Sequence, residues 1–284
     1  MAKSLMIQGT ASGVGKTIVA MALCRIFKQD GYRVSPFKSQ NMTSNVAFTE
    51  SGDEIAVSQL LQAYAAETTP DANMNPVILK PSQEKKGTQI TLNGKHYDTI
   101  DAYNFKETKK ALIPEIMKAY DNLSRRCDII VIEGAGSPVE LNLTKGGDDI
   151  VNMGIAKRTN SPVALVSDID RGGIFASLYG TVSLLDESER EYVKATIVNR
   201  FKGDISYFAD GVAILEKITK IPVAGVIPHV QFDIPEEDYL YNAKSPAYSP
   251  NSSFDSQFDI IADNARKSLD MGLIYKIIEN GVKK

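Results

Sequence analysis

The clearest chemical signal in the sequence is a glycine-rich stretch near the amino terminus. Its residues, GTASGVGKT over positions 9–17, lie between an apolar β-type segment and a helical one. In that context glycines allow backbone N–H groups to point at a phosphate, and the helix amino terminus adds partial positive charge. Lys16 would contact the β- and γ-phosphates of a nucleotide, and the Thr17 hydroxyl would bind Mg²⁺. The stretch therefore predicts a phosphate-binding loop.

This loop departs from the strict pattern at one position. Thr10 stands where the pattern requires a glycine, and the glycine comes one residue earlier, at Gly9. A plain strand-to-helix turn is the alternative interpretation. We predict a variant loop, with a nucleotide bound by Gly9, Thr10, Ser12, Gly13, Val14, Gly15, Lys16 and Thr17.

Two further carboxylates are candidates for holding the metal. Glu133 ends the apolar run DIIVIE, at the position where a second strand of this architecture supplies its metal-binding acid. Asp53 and Glu54 precede a helical pattern, where carboxylates often serve only as caps or dipole partners. If one of this pair is a ligand we prefer Glu54, which gives a hard-oxygen Mg²⁺ site of Thr17, Glu54 and Glu133.

Short β-branched runs alternate with helical patterns along the chain. The predicted strands are Leu5–Gln8, Arg33–Phe37, Asp128–Glu133, Val163–Ser167, Ala195–Asn199 and Val223–Ile227. The predicted helices are Lys16–Lys28, Ile55–Glu67, Ala102–Arg125, Gly173–Leu185 and Ile205–Thr219. This alternation favours an α/β fold with a doubly wound, mostly parallel sheet flanked by helices.

Two segments interrupt the alternation. The run TQITLNGKHY is typical of a hairpin that turns at Asn93-Gly94, which makes a small β insertion. Near the carboxyl terminus a stretch rich in Ser, Pro, Asn and Tyr has no periodicity, and a helical pattern follows it. We predict a P-loop domain over 1–241, a linker or loop over 242–257 and a C-terminal helix within 258–284.

Composition restricts the class of protein. Lys and Arg number 32 against 35 Asp and Glu, so a net charge of −3 gives no field that favours nucleic acid or membrane surfaces. No apolar run reaches the length of a membrane span and no signal-type segment opens the chain. With two cysteines, Cys24 and Cys127, no disulfide framework is expected. We expect a cytoplasmic protein with no nucleic-acid or membrane partner.

Seven motifs together resemble one enzyme family in their order and spacing. They are GTASGVGKT, PFKSQNM (36–42), DEIAVSQLLQAYAA (53–66), MNPVILKP (74–81), VIEGAGSPVE (131–140), DIDRGG (168–173) and IVNRFKGD (197–204). The series is similar to cobyric acid synthase over roughly residues 5–241. That family belongs with dethiobiotin synthetase and cobyrinic acid a,c-diamide synthase among the P-loop ligases.

The resemblance implies a reaction. The family amidates propionate carboxylates of adenosylcobyrinic acid a,c-diamide to give adenosylcobyric acid in cobalamin biosynthesis, using ATP, Mg²⁺ and ammonia derived from glutamine. Each carboxylate attacks the γ-phosphate of ATP, and ammonia displaces the resulting acyl phosphate. By resemblance the catalytic residues are Lys16, Lys38 and Glu133, with Lys38 the second cation near the γ-phosphate.

Further roles also follow from the resemblance. Asn199 matches the residue that contacts adenine, and Pro228 lines the same base pocket. Asp168 helps to shape the cleft. The substrate-side groups are Gln40, Asn41, Asn75, Lys80, Asp170 and Arg171. For Asp170 and Arg171, a structural ion pair is as good an interpretation as a role on the substrate side.

Full-length members of the family also carry a C-terminal glutaminase with a catalytic cysteine. Cys24 lies within the predicted helix after the loop and Cys127 leads into a buried strand, so neither has the glycine-flanked turn that a nucleophile needs. We expect ammonia to reach this chain from outside, as free ammonia or from a separate glutaminase subunit. The C-terminal helix resembles the extreme C-terminus of full-length members, and a homodimer is expected by resemblance.

Two other functions compete with this interpretation. A dethiobiotin-synthetase-like ligase acting on another substrate would need the same loop, but that enzyme lacks the QNM and DIDRGG motifs. A ParA-like nucleotide switch would bind ATP to dimerise, but the lysine typical of that class is absent at position 11, which is Ala11.

Overall fold

Runs of apolar residues build a central sheet from the six segments that the sequence predicts as strands. The computed structural model describes residues 1–82, 87–100, 105–139, 149–234 and 253–282. Its strands are β1 (Lys3–Gly9), β2 (Val34–Phe37), β3 (Gln40–Met42), β4 (Val46–Phe48), β5 (Glu54–Ala56), β6 (Val77–Ser82), β7 (Gly87–Leu92), β8 (Lys95–Ile100), β9 (Ile129–Glu133), β10 (Val163–Asp168), β11 (Val193–Phe201) and β12 (Val223–Pro228).

The helices fill the intervals between the strands of this sheet. They are α1 (Lys16–Gln29), α2 (Val57–Ala65), α3 (Phe105–Ser124), α4 (Met153–Thr159), α5 (Ile174–Leu184), α6 (Glu187–Arg190), α7 (Ala209–Thr219), α8 (Ser253–Ser268) and α9 (Met271–Asn280). Two short 3₁₀ turns span Ala72–Met74 and Ile205–Phe208.

The central sheet has the order β12-β11-β10-β1-β9-β2, and every neighbouring pair is parallel. The chain leaves β1 for the edge strand β2 and later returns to fill the other side of β1 with β10, β11 and β12. The direction of winding therefore reverses beside β1. Open α/β sheets bind ligands at the carboxyl ends of the strands where this reversal occurs, and the glycine-rich loop lies there.

Both faces of the sheet are covered, which confirms the predicted doubly wound α/β class. In β1, Leu5 and Ile7 pack into the apolar layer that contains α1, α8 and α9. Met6, between them in sequence, packs into the opposite layer with α3, α5 and α7. Because successive side chains of a strand point to opposite faces, a strand covered on both sides must be apolar throughout.

The predicted β insertion forms a second, four-stranded sheet in the order β3-β6-β7-β8. Its hairpin turns at Asn93-Gly94, where both residues have positive φ, 49° and 80°. Two consecutive left-handed residues make the type I′ turn that matches strand twist, so the predicted turn is confirmed. A shorter antiparallel pair, β4 and β5, lies beside this sheet.

Two predicted helices begin later than the sequence pattern indicated. Residues Glu54–Ala56 form β5, because Val46–Phe48 offers them an antiparallel backbone partner, and helix α2 starts only at Val57. Glu54 therefore lies on a strand, not at a helix start. In the same way Ile205–Phe208 is a 3₁₀ turn capped by Asp204, and α7 begins at Ala209.

The C-terminal helical pattern forms two helices where one was predicted. The chain turns at Leu269, which makes an isolated β-bridge with Gly225 of β12, and Asp270 then caps the second helix through the N–H of Leu273. Helix α8 already starts at Ser253, so residues 253–257 of the predicted linker are helical. The remainder of that linker lies outside the described residues.

Candidate functional site

The glycine-rich loop connects β1 to α1 at the carboxyl edge of the sheet. Gly13 and Gly15 have φ values of 71° and 96°, which an L side chain rarely adopts. The Lys16 ammonium folds back over the loop, where it donates to the carbonyl oxygens of Ala11 and Gly136, each at 3.0 Å. The buried lysine is thus held by neutral carbonyl groups at the place where a phosphate would supply negative charge.

Close packing explains why the loop has a glycine at position 9, one residue before the position that the strict pattern requires. A Cβ atom on Gly9 would lie 2.6 Å from the Cγ2 of Val14 and about as close to the side chain of Lys16. Thr10 next to it contacts the hydroxyl of Ser167 at 2.9 Å. The loop is therefore fitted around its own valine and lysine, whereas Ser12 is exposed at its tip.

Glu133 is the centre of a buried polar cluster beside the loop. Its Oε1 accepts from the Thr17 hydroxyl at 2.8 Å and from the Lys38 ammonium at 3.1 Å. Its Oε2 accepts from Nε2 of Gln62 at 2.5 Å. Only 1% of Glu133 is exposed. Three separate segments, α1, the end of β2 and α2, therefore converge on one carboxylate at the end of β9.

The cluster has the donor chemistry that Mg²⁺ requires. The Thr17 hydroxyl and the Glu133 carboxylate are adjacent hard oxygen atoms, and a cationic group already pairs with that carboxylate. The described residues hold no group of three or more His, Cys, Asp or Glu side chains placed to bind a metal ion, so they supply few anionic ligands here. Mg²⁺ commonly uses one or two carboxylates together with phosphate oxygens and water. The residues present fit that pattern.

Glu54, the third predicted metal ligand, makes its contacts elsewhere. Its Oε2 accepts from the Lys80 ammonium at 2.5 Å and from the Thr91 hydroxyl at 2.8 Å, both in the small sheet. Within the described parts of the chain no hydrogen bond joins Glu54 to Thr17 or Glu133. The structure thus brings Thr17 and Glu133 together and pairs Glu54 with Lys80, itself predicted on the substrate side.

The other predicted substrate-side amides surround Lys38. Asn75 donates to the Lys38 carbonyl at 2.9 Å, and Asn41 donates to Oε1 of Gln59 at 3.1 Å. The Oε1 of Gln40 and the Oδ1 of Asn75 are buried and accept no hydrogen bond from the described residues. A buried acceptor without a donor destabilises a protein by about 1–3 kcal/mol. These oxygens are accordingly where a ligand or water would bind.

A cluster of charges follows β10 and β11 on the other side of the loop. Asp168 pairs with Arg200 at 3.0 Å and with Arg171 at 3.6 Å. Asp170 pairs with Lys202 at 2.7 Å, and the hydrogen bond from that lysine lowers the pKa of Asp170. The anticipated Asp170–Arg171 ion pair is therefore not the pairing found, since each residue has a different partner.

Arg200 is a site residue that the sequence analysis missed. It donates to the Gly13 carbonyl at 2.9 Å and adopts a φ of 60°, unusual for a residue with a side chain. Gln62 was missed as well, although its motif was noted. Neither residue type signals its role, since a lone arginine in a strand or a glutamine in an apolar helix is common. Only the fold brings them to the loop.

Asn199 and Pro228 line one pocket at the end of the loop. Asn199 donates through Nδ2 to the Val14 carbonyl at 2.9 Å, which ties β11 to the loop. The pocket includes Gly15, and most of its walls are apolar residues from α1, from the end of β12 with the residues after it, and from α8. These apolar residues are Ile18, Val19, Ala22, Ile227, Val230, Phe232, Ile261 and Ala265. Arg200 and His229 line the pocket as well. The apolar faces of a nucleotide base would pack here while its phosphates extend to the loop.

The two cysteines show no feature of a nucleophile. Both are buried, Cys24 within α1 and Cys127 just before β9. Burial raises the pKa of Cys24, with a further contribution from the charge of Glu133, and burial raises the pKa of Cys127 to about 11. Thiolates react and thiols do not, so both groups are inert at neutral pH.

The described helices include none that is long and apolar enough to cross a bilayer.

Comparisons with known proteins agree with the motifs. Residues 5–237 match the family model of the CobQ/CobB/MinD/ParA nucleotide binding domain. The chain is 47% identical over 274 residues to a protein of Streptococcus sanguinis named cobyric acid synthase, covering 96% of this chain and 52% of that one. It is 51% identical over 249 residues to a cobyric acid synthase of Ruminiclostridium cellulolyticum, covering 87% and 48%.

The chain thus spans about half the length of the curated relatives it matches. These matches confirm the resemblance that the motifs indicated. Among solved structures, the signal recognition particle receptor FtsY of Elizabethkingia anophelis aligns with a TM-score of 0.46 at 16% identity, covering 81% of this chain and 60% of that one.

Proposed function

We propose a function from one premise, that this chain belongs to the CobQ/CobB/MinD/ParA nucleotide-binding domain family. Within it we assign the chain to the ATP-dependent ligase portion of a cobyric acid synthase. It amidates propionate carboxylates of adenosylcobyrinic acid a,c-diamide to give adenosylcobyric acid. The observation that carries this proposal is the buried cluster in which Thr17, Lys38 and Gln62 converge on Glu133 beside the P-loop.

The first step is the transfer of a phosphoryl group. A carboxylate oxygen of the substrate attacks the γ-phosphorus of ATP, the bond to the β-phosphate bridging oxygen breaks, and ADP leaves. Negative charge spreads over the transferred group, so fixed cations lower the barrier. Lys16 is already folded over the loop, and we assign it to the β- and γ-phosphates. Lys38, now paired with Glu133, supplies the second cation.

Mg²⁺, when bound, neutralises part of the phosphate charge. Thr17 and Glu133 would hold it, because they are the adjacent hydroxyl and carboxylate of the cluster. Glu54 remains a candidate ligand only if its pair with Lys80 opens.

In the second step ammonia attacks the acyl phosphate carbon. A C–N bond forms, the C–O bond to phosphate breaks, and the nitrogen loses a proton as inorganic phosphate departs. Neither cysteine of this chain has the exposure or pKa of a glutaminase nucleophile. We therefore propose that ammonia is supplied from outside the chain, as the free molecule or by a glutaminase. We place the corrinoid near Gln40, Asn41 and Asn75. Dimerisation of the chain is part of the same proposal.

The test measures phosphate release from MgATP with adenosylcobyrinic acid a,c-diamide, and compares ammonium chloride with glutamine as nitrogen donor. Mass spectrometry follows the loss of about 1 Da expected for each carboxylate converted to an amide. We expect turnover with ammonium and none with glutamine alone. ATP binding without turnover on either donor would contradict the assignment to cobyric acid synthase and favour a nucleotide switch or another carboxylate substrate.

A further inference from the structure

The base pocket contains residues from outside the family domain. The matched region ends at residue 237, yet α8, which begins at Ser253, contributes Ile261, Asn264 and Ala265 to the pocket. These positions have the i, i+3, i+4 spacing that places side chains on one face of a helix. One face of α8 therefore closes a site whose remaining walls belong to the matched domain.

Several contacts fix α8 in this position. Phe258 and Ala262 are buried in the layer that also holds α1. Arg25 of α1 pairs with Asp259 at 2.8 Å, and Arg266 pairs with Asp30 at 2.9 Å. With apolar packing and ion pairs near its middle and in its last turn, α8 is part of the same layer as α1, which itself begins at the P-loop.

The hydrogen-bond partners of two asparagines in the pocket determine which way each side-chain amide is turned. Asn199 donates from Nδ2 to the Val14 carbonyl at 2.9 Å, and Asn264 donates from Nδ2 to the Pro228 carbonyl at 3.2 Å. A carbonyl oxygen only accepts, so the amide nitrogen must be the atom that faces it in each case. Both oxygens are then left as acceptors, and no described residue donates to either of them.

We propose that Asn264 of α8 is a specificity-determining residue that, together with Asn199, selects a purine with an amino group at its 6-position. The 6-amino group of adenine has two N–H donors for these oxygens, whereas guanine presents a carbonyl oxygen at the same position. An unpaired oxygen facing another oxygen in a mostly apolar pocket is unfavourable. This inference rests on the proposed use of a nucleoside triphosphate, and it gives α8 a role in the choice of that nucleotide.

The test is calorimetric titration of the whole chain with MgATP and with MgGTP, in the absence of a corrinoid. Asn264→Leu keeps the branched shape of the side chain and removes the acceptor, together with the donor to the Pro228 carbonyl. We expect it to weaken ATP binding about tenfold, with GTP affinity unchanged or improved, so the preference for ATP shrinks. The exposed neighbour Asp263→Asn is the matched control and should bind both nucleotides like the parent chain.

A second variant separates recognition from packing. Ile261→Ala thins the apolar wall of the same pocket without touching an acceptor, so ATP and GTP affinities should fall by the same factor. Thermal unfolding of each variant shows that α8 still packs. An ATP preference that Asn264→Leu leaves intact, in a folded variant, would overturn this inference and leave the ligase assignment standing. If the parent chain binds neither nucleotide, the proposed function fails together with it, whereas ATP binding without amidation removes the ligase alone.

Discussion

The phosphate end and the base end of the candidate site are built in opposite ways. At the phosphate end the charged groups are buried, with Lys16 donating to the Gly136 carbonyl and Lys38 paired with Glu133. At the base end, the walls are mostly apolar and come from α1, from the end of β12 with the residues after it, and from α8. Asn199 contacts both, because it binds the Val14 carbonyl of the loop and lines the base pocket.

Because of this difference, the phosphate end acts on the transition state and the base end acts on nucleotide binding. Charges fixed in a buried site act on the transition state, since phosphoryl transfer redistributes negative charge. An apolar pocket binds the ground state and the transition state equally well, because the base does not react. Variants of the phosphate end should therefore lower kcat, whereas variants of the base end should raise the KM for the nucleotide.

The largest effect is expected from Lys16→Ala. Loss of the ammonium removes the charge nearest the loop carbonyls of Ala11 and Gly136, and kcat should fall by about 10³-fold or more. Steady-state phosphate release with corrinoid and ammonium measures it. Lys217→Ala, an exposed lysine on α7, is the charge-matched control. A variant with nearly normal kcat would remove the loop lysine from the mechanism.

Glu133→Gln comes next and should affect both catalysis and folding. It removes the carboxylate that pairs with the buried Lys38 at 3.1 Å, which should reduce the free energy of unfolding by about 3 kcal/mol. Activity should fall about 100-fold with a weaker response to Mg²⁺. Urea denaturation and a Mg²⁺ titration of phosphate release measure the two effects.

The matched control for Glu133→Gln is a substitution of Asp128, the residue just before β9, which is the strand that Glu133 ends. Asp128 pairs with the exposed Arg33 at 2.6 Å, and that hydrogen-bonded pair lowers the pKa of Asp128 to about 2. Because this pKa is depressed, the stabilisation is present above the ordinary pKa of an aspartate and is lost as the pH falls towards 2. Because both partners are exposed and water screens the pair, this stabilisation is small, so Asp128→Asn should change stability little at neutral pH and leave the Mg²⁺ response intact. Equal losses in both variants would show that the Glu133 effect is only structural.

A smaller effect is expected from Gln62→Met, which removes the donor to Oε2 of Glu133 at similar volume. Groups that orient a metal ligand typically change metal affinity about 10-fold to 100-fold. We expect ATP affinity in EDTA to be unchanged, and the gain on adding Mg²⁺ to shrink about tenfold. Gln59→Met is the matched control on the same helix, since Gln59 contacts Ser58 and Asn41 instead. Equal loss in both variants would contradict an orienting role for Gln62.

The smallest effects should come from the cysteines, which lie outside both ends. Cys24→Ser and Cys127→Ser should leave ammonium-dependent activity within about twofold, because neither thiol takes part in the proposed chemistry. In the native chain both thiols should react with Ellman's reagent far more slowly than in urea. A thiol that reacts in the native state as fast as free cysteine would contradict their assignment as buried core groups.

Contiguous motifs could be predicted from the sequence, whereas contacts between distant segments could not. The six parallel strands, the P-loop and Glu133 were predictable, because each is a contiguous motif whose periodicity or spacing determines its structure. Three positions needed tertiary information. Glu54–Ala56 became a strand because a partner strand was available, Arg200 adopts a left-handed conformation beside the loop, and Gln62 reaches Glu133 from another element.

The base pocket was the least predictable part of the site. Asn199 and Pro228 were anticipated from the family resemblance, but the residues that α8 adds are ordinary apolar or amide side chains. Residues such as Ile261 and Ala265 have the pattern of any buried helix face, so their periodicity predicts burial without specifying what they are buried against. Their contribution to a site depends on where the chain returns after residue 252, which the local pattern does not determine.

The most direct test of the acyl phosphate mechanism traces a labelled oxygen atom from the substrate carboxylate to the released phosphate. Adenosylcobyrinic acid a,c-diamide labelled with ¹⁸O in its carboxylates is incubated with the chain, MgATP and ammonium, and the released phosphate is analysed by mass spectrometry. If the carboxylate attacks the γ-phosphorus, each phosphate released must carry one ¹⁸O from the substrate while the product gains an amide. Unlabelled phosphate accompanying amide formation would contradict an acyl phosphate intermediate and the proposed roles of Lys16 and Lys38.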